Sequence, residues 1–270
     1  MEINYQSLIE AIKYSPLSEI KKLITKDVNL NYKDDYGDTF LTVAAEHGKK
    51  SVVEFLLKEG ANCEVSNNNE QTPLFIAAAF GQNEIFELLF EKGAEISCVD
   101  KFGNTPLLNS AENGHKETVQ LLIEKGVDVN ANNSEGQSAL HFAVRNGHDE
   151  VVRILMDNGA NQNNKNHEDE SPFLEAVRHK KKQIVSLFFE YMTSNEIDEI
   201  RGILIADNLL SLADEVDQSL TDKLTEFSDK FKETLEAQGE NEYLANLVAE
   251  FSAVSTSLTL AKLKKLISSL

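Results

Sequence analysis

The sequence predicts an all-α fold: a solenoid of six stacked helix pairs over residues 1–192, closed by a three-helix bundle over residues 193–270. The first observation behind this is a strict period. Thr39, Thr72, Thr105, Ser138 and Ser171 stand 33 residues apart, and two glycine series keep the same step: Gly48, Gly81, Gly114, Gly147 and Gly60, Gly93, Gly126, Gly159. A period held without insertion means stacked copies of one unit, and it favours binding over catalysis. The second observation is that the period stops after Met192 while apolar residues keep helical spacing.

Each part of the unit has a physical reason. Thr or Ser accepts a hydrogen bond from an orphan N–H at the start of a helix. The proline that follows in Thr72-Pro73, Thr105-Pro106 and Ser171-Pro172 suits a first turn that needs no donor. Small pairs such as Ala44-Ala45 and Ala77-Ala78 let two helices approach closely. The first glycine ends an inner helix and the second an outer helix. Asn, Asp and Gly between units suit turns that project as fingers. One step earlier, Leu8, Ala11, Ile20 and Leu23 mark a degenerate first unit, closed by Asp27-Val28-Asn29.

These residues resemble the ankyrin repeat over roughly residues 4–192. Departures are expected to matter locally. Phe40 and Ala139 replace the proline, and only Leu140 is followed by the customary histidine, His141, which in the family ties neighbouring loops together. Glu70 and Asp169 replace the turn glycine seen as Gly37, Gly103 and Gly136, so those fingers should be strained or reshaped. Lys180 stands where the last unit would have its helix-ending glycine.

Beyond residue 193, Leu220, Leu224, Phe227, Phe231 and Leu235 form one apolar helix stripe, flanked by Ile197–Val216 and Leu244–Leu258 patterns. A solenoid end needs a cover, so this bundle is expected to pack on Val185, Phe188, Phe189 and Met192.

The formal net charge is −19, with a pI near 4.7. Such a field repels nucleic acid and anionic lipid and favours basic partners, or simply keeps the chain soluble. Cys63 and Cys98 make neither a disulfide framework nor a zinc spacing, which fits a reducing cytosol. No signal peptide or membrane-spanning run is visible. Arginine occurs only at Arg145, Arg153, Arg178 and Arg201 against abundant lysine, a composition similar to that of ankyrin effectors of intracellular bacteria. That similarity implies a second possible location: secreted by a bacterium into the host cytosol, to engage a host protein.

No nucleophile elbow, phosphate loop or metal-ligand spacing is present, so no enzyme, cofactor or metal site is expected. The alternatives are an enzyme whose activity resides in the C-terminal helices, or a regulatory subunit that masks a basic segment of its partner. The resemblance implies a partner protein, bound by a monomer on the concave face through finger tips and inner-helix ends. There the 33-residue step places Tyr36, Asp38, His47, Phe80, Lys101, Phe102, Asn104, Glu112, Asn113, Arg145, Arg178 and His179. Tyr36, Phe80 and Phe102 are the expected anchors, because repeat packing needs no aromatic at those places. The competing reading has each ring folding back over its neighbour's finger. Arg145, Arg178 and His179 suggest that the later repeats favour an acidic target, and the earlier ones an aromatic or basic one.

Overall fold

A computed structural model describes residues 4–179 and 181–191. The chain divides between Ile184 and Val185 into two compact units. The three helices expected after residue 193 lie outside the described residues, as does Lys180.

Among the described residues there are twelve α-helices and no named strand. They alternate between inner and outer rows. The inner helices are α1 (Tyr5–Tyr14), α3 (Phe40–Glu46), α5 (Pro73–Ala79), α7 (Pro106–Glu112), α9 (Ala139–Asn146) and α11 (Pro172–Arg178). The outer helices are α2 (Leu17–Leu23), α4 (Lys50–Lys58), α6 (Asn83–Glu91), α8 (Lys116–Glu124) and α10 (Asp149–Asp157); α12 (Lys182–Tyr191) follows α11 and spans the division between units. Each inner helix packs on the next inner helix, and each outer helix through α10 on the next outer helix. Within repeats, α1 packs on α2, α3 on α4, α5 on α6, α7 on α8 and α9 on α10. This is an all-α solenoid.

The helix starts are those the period predicts. Thr39, Thr72, Thr105 and Ser171 each accept a hydrogen bond from the N–H three residues on, at 3.2–3.3 Å. Asn4 does the same for α1. Inner helices of seven residues are too short to persist alone in water, so packing must hold them. Ala44, Ala45, Ala77, Ala78, Ala111 and Ala143 are fully buried where these helices meet. Around them lie Leu41, Leu74, Leu107 and Leu140 on the inner row, and Leu56, Leu89, Leu122 and Leu155 on the outer row. Burying one such leucine is worth about 1.5–3 kcal/mol.

Two departures from the repeat find an explanation. Phe40, in the proline's place, is buried and stacks with Tyr5, whose own ring stacks on Tyr32 at 4.1 Å. It thereby joins the degenerate first repeat to the second. His141 is fully buried, and its Nδ1 accepts from the Ser138 backbone N–H at 3.1 Å. Its Nε2 donates to the Glu170 carbonyl of the next finger at 3.1 Å, so it ties neighbouring loops as expected. Nothing in the structure explains Ala139.

Burial pushes the His141 imidazole below its ordinary value, against the opposing pull of the Glu170 carbonyl. The unfolded chain then takes up a proton near pH ~6.5 that the folded one refuses. The stability this ring contributes is complete above that pH and declines as pH falls below it. A His141→Gln variant should therefore show a flatter stability–pH profile between about pH 7.5 and about pH 5 in urea titrations. An unchanged slope would assign the acid sensitivity to other groups.

The glycine substitutions strain two fingers without reshaping them. Gly37 sits at φ 79°, and a Cβ there would meet Asn68 Oδ1 at 2.4 Å. Glu70 and Asp169 hold the same left-handed conformation, at φ 63° and 60°. Their N–H groups still reach Asn67 and Asn166 carbonyls at 3.0 and 3.1 Å, as Gly37 reaches Asp34 at 2.9 Å. A left-handed non-glycine residue costs roughly 1–2 kcal/mol, partly offset by glycine's greater freedom when unfolded. Glu70→Gly should accordingly raise stability by up to about 1 kcal/mol in urea titration. A loss of stability would show that the Glu70 side chain makes a compensating interaction.

Candidate protein-binding face

The fingers are built by one recurrent residue. Asp34, Asn67, Asp100, Asn133 and Asn166 stand 33 apart, each at the root of a finger. In every copy a side-chain oxygen accepts from the N–H groups two and four residues on, at 2.8–3.1 Å. A short polar side chain thus replaces the strand pairing that a longer hairpin would use.

Successive tips are then joined backbone to backbone. Asn68 donates to the Tyr36 carbonyl at 3.1 Å, Lys101 to Asn69 at 3.0 Å, Ser134 to Phe102 at 3.0 Å and His167 to Glu135 at 2.9 Å. The tips form one continuous row. The C-terminal ends of the inner helices form another. There Asn113 Nδ2 donates to the Ala79 carbonyl at 3.2 Å, and His148 Nε2 to that of Glu112 at 2.9 Å.

The predicted site residues separate into three groups on this frame. Tyr36, Phe80 and Phe102 project into solvent, with 77%, 47% and 58% of their surface exposed. Tyr36 and Phe102 occupy the tip row two fingers apart, and Phe80 caps α5 in the other row. Lys101 Nζ lies 5.0 Å from the Phe102 ring centre. Val99, on the same finger, is 45% exposed and escaped the sequence reading; its signal was valine at a place held by Lys33, Ser66, Asn132 and Lys165 in other units.

A second group is engaged in holding the fingers. Asp38 Oδ1 accepts from Asn67 Nδ2 at 3.0 Å, and Asn104 Oδ1 from Asn133 Nδ2 at 2.9 Å. Burial pushes the Asp38 carboxyl above its ordinary value, against the lowering effect of the Asn67 amide. Asn113 bridges two carbonyls, those of Ala79 and Asn109. Exposed His47 turns its Nδ1 back to the Val43 carbonyl at 3.0 Å.

The third group is charged. Arg145 Nε donates to Glu175 Oε1 at 2.7 Å, and Glu175 is only 2% exposed. The Gln137 amide oxygen, in the orientation its surroundings favour, accepts from Arg145 Nη2 at 2.8 Å. Arg178 pairs with Glu170. By contrast, the carboxylates of Asp35, Glu112 and Glu135 have no ion-pair partner among the described residues. His179 is exposed at the end of α11.

Cys63 and Cys98 are both free and half-buried. Burial pushes both thiols up, and Cys98 Sγ accepts from Thr72 Oγ1 at 3.4 Å. Among the described residues no helix is long and apolar enough to cross a membrane.

Stacked helix pairs, glycine-ended helices and hydrogen-bonded fingers define a helical repeat protein. A family model described as ankyrin repeats (3 copies) matches residues 8–100 and again 92–166. Together the matches cover more than half of the chain, which therefore belongs to the ankyrin-repeat family. No curated protein matches the chain. Ankyrin repeats are generally protein–protein interaction modules and typically lack enzymatic activity.

Arg145 is held by a buried carboxylate, so its removal should be felt in the fold first. Arg145→Ala is expected to cost about 1–3 kcal/mol in a urea titration, the penalty of leaving a buried charged group without its partner. A variant with unchanged stability would show that Glu175 is satisfied without the guanidinium.

Proposed function

We propose that this chain is a non-enzymatic interaction module that binds a partner protein through the finger tips and inner-helix ends, on the concave face of the solenoid. One observation supports this above the others: Tyr36, Phe80 and Phe102 are exposed on three successive repeats, at positions the repeat seam does not use. Exposed aromatics within a polar rim are the usual anchors of an interface. The role is that of an adaptor or effector. The arginine-poor composition fits an effector of an intracellular bacterium, released into a host cytosol to engage a host protein. In either setting the working unit is a monomer.

The test compares binding and stability in the same variants. A partner recovered with the intact chain should lose about 2 kcal/mol or more of affinity with Phe80→Ala or Phe102→Ala, the usual threshold for an anchor. Melting temperature should change little, because these side chains lie outside the buried seam. Large stability losses with unchanged affinity would make the rings packing residues and move the docking site elsewhere.

A further inference from the structure

The distribution of satisfied and unsatisfied charge on this face goes beyond the presence of anchors. Both arginines are already committed, Arg145 to Glu175 and Arg178 to Glu170. Releasing Arg145 to an incoming carboxylate would abandon Glu175, a buried carboxylate whose Oε2 has no hydrogen-bond partner even now. A buried charge stripped of its partner is strongly unfavourable. The acids are in the opposite state. Asp35 and Glu135 are exposed at finger tips, and Glu112 is half-buried at the end of α7, all three without ion pairs among the described residues. They stand in the same two rows as the aromatics: Asp35 adjoins Tyr36, and Glu135 belongs to the finger bonded to that of Phe102. Lys101 is the cation beside them, and it lies against the Phe102 ring.

We propose that this face selects an extended, cationic segment of a partner protein. Apolar side chains of the segment meet Tyr36, Phe80 and Phe102, and its lysines or arginines meet Asp35, Glu112 and Glu135. This rests on the reading of the face given above. The occupant is extended because its anchors are spread over three successive repeats, Tyr36 and Phe102 two fingers apart in the tip row and Phe80 at the end of α5 in the other row. It is cationic because the carboxylates of Asp35, Glu112 and Glu135 have no ion pair among the described residues, whereas Arg145 and Arg178 are paired and Lys101 lies against the Phe102 ring. The later repeats, for which the sequence suggested an acidic target, offer none a free guanidinium without breaking an internal pair. The surplus of acid over the whole chain, −19, adds long-range attraction for such a segment.

The experiment uses the full chain and a displayed library of random peptides as probe. Recovered peptides are expected to be enriched in Lys and Arg together with aromatic or aliphatic residues, and depleted in Asp and Glu. A synthetic copy of the best peptide should bind at least about tenfold more weakly to Phe80→Ala, and similarly to an Asp35→Lys, Glu135→Lys double variant. Raised salt should weaken it further, chiefly through slower association. Circular dichroism melts of each variant separate loss of fold from loss of binding. Peptides that depend on Phe80 but are indifferent to charge reversal, or are acidic, would overturn the cationic segment and leave the docking face standing. Peptides insensitive to every variant would overturn both readings. A library yielding no enriched peptide would overturn the extended segment as occupant.

Discussion

The register of one repeat on the next depends on fingers that are each closed by a side chain with two carbons beyond its Cα, one oxygen of which does most of the bonding. The Asp or Asn at positions 34, 67, 100, 133 and 166 closes its finger by accepting two backbone N–H groups. That closure presents one tip carbonyl and one tip N–H in fixed positions, and these bond to the fingers on either side. Net, each such bond is worth only about 0.5–1.5 kcal/mol. Their importance lies in position: they hold adjacent units at one offset, so that seven-residue inner helices meet alanine against alanine. An insertion within a finger would shift the tip relative to its neighbour and break both contacts, which is a physical reason for a period without insertions.

The same network sorts binding residues from structural ones. A polar group used between fingers, such as the Asn104 amide or the Asp38 carboxylate, is not free to meet a partner without cost. The rings of Tyr36 and Phe102 on the tips make none of these bonds and are mostly exposed. Their value to stability is small, and the function proposed for them rests on that contrast. The frame beneath is rigid while the side chains it displays are interchangeable, the arrangement that suits loops carrying recognition on a fixed scaffold.

Much of this was legible in the sequence. Thr39, Thr72, Thr105, Ser138 and Ser171 announced their helices because an N-cap acts locally, within three residues. The exposure of Tyr36, Phe80 and Phe102 agrees with the repeat: Tyr36 and Phe102 share one position that is otherwise Asn69, Glu135 and Glu168, and the position of Phe80 is otherwise His47, Asn113, Asn146 and His179. The pairing of Arg145 with Glu175 was not legible. The partners are 30 residues apart, and position 175 is held by Val43, Ile76, Asn109 and Phe142 in the other repeats, so the period gives no hint of a buried acid there. The finger-root series at 34, 67, 100, 133 and 166 was present in the sequence but read only as turn composition. Its restriction to Asp or Asn in every copy, both able to accept through Oδ1, was the missed signal.

Aromatic residues in this chain illustrate how one chemical type takes two roles by placement alone. Phe40, Phe75 and Phe86 are fully buried, and Phe40 with Tyr5 and Tyr32 builds a stack that binds the degenerate first repeat to the second. That stack stands where a proline would otherwise begin α3, so a ring there replaces backbone preorganisation with apolar contact. Phe80 and Phe102 are no less apolar, yet they are left 47% and 58% exposed. Hydrophobicity alone therefore cannot tell a core aromatic from an anchor. The repeat can: where the equivalent position in neighbouring units is polar, as Asn69 and Glu135 are beside Phe102, the seam has no place for the ring, and its apolar surface is left to a partner.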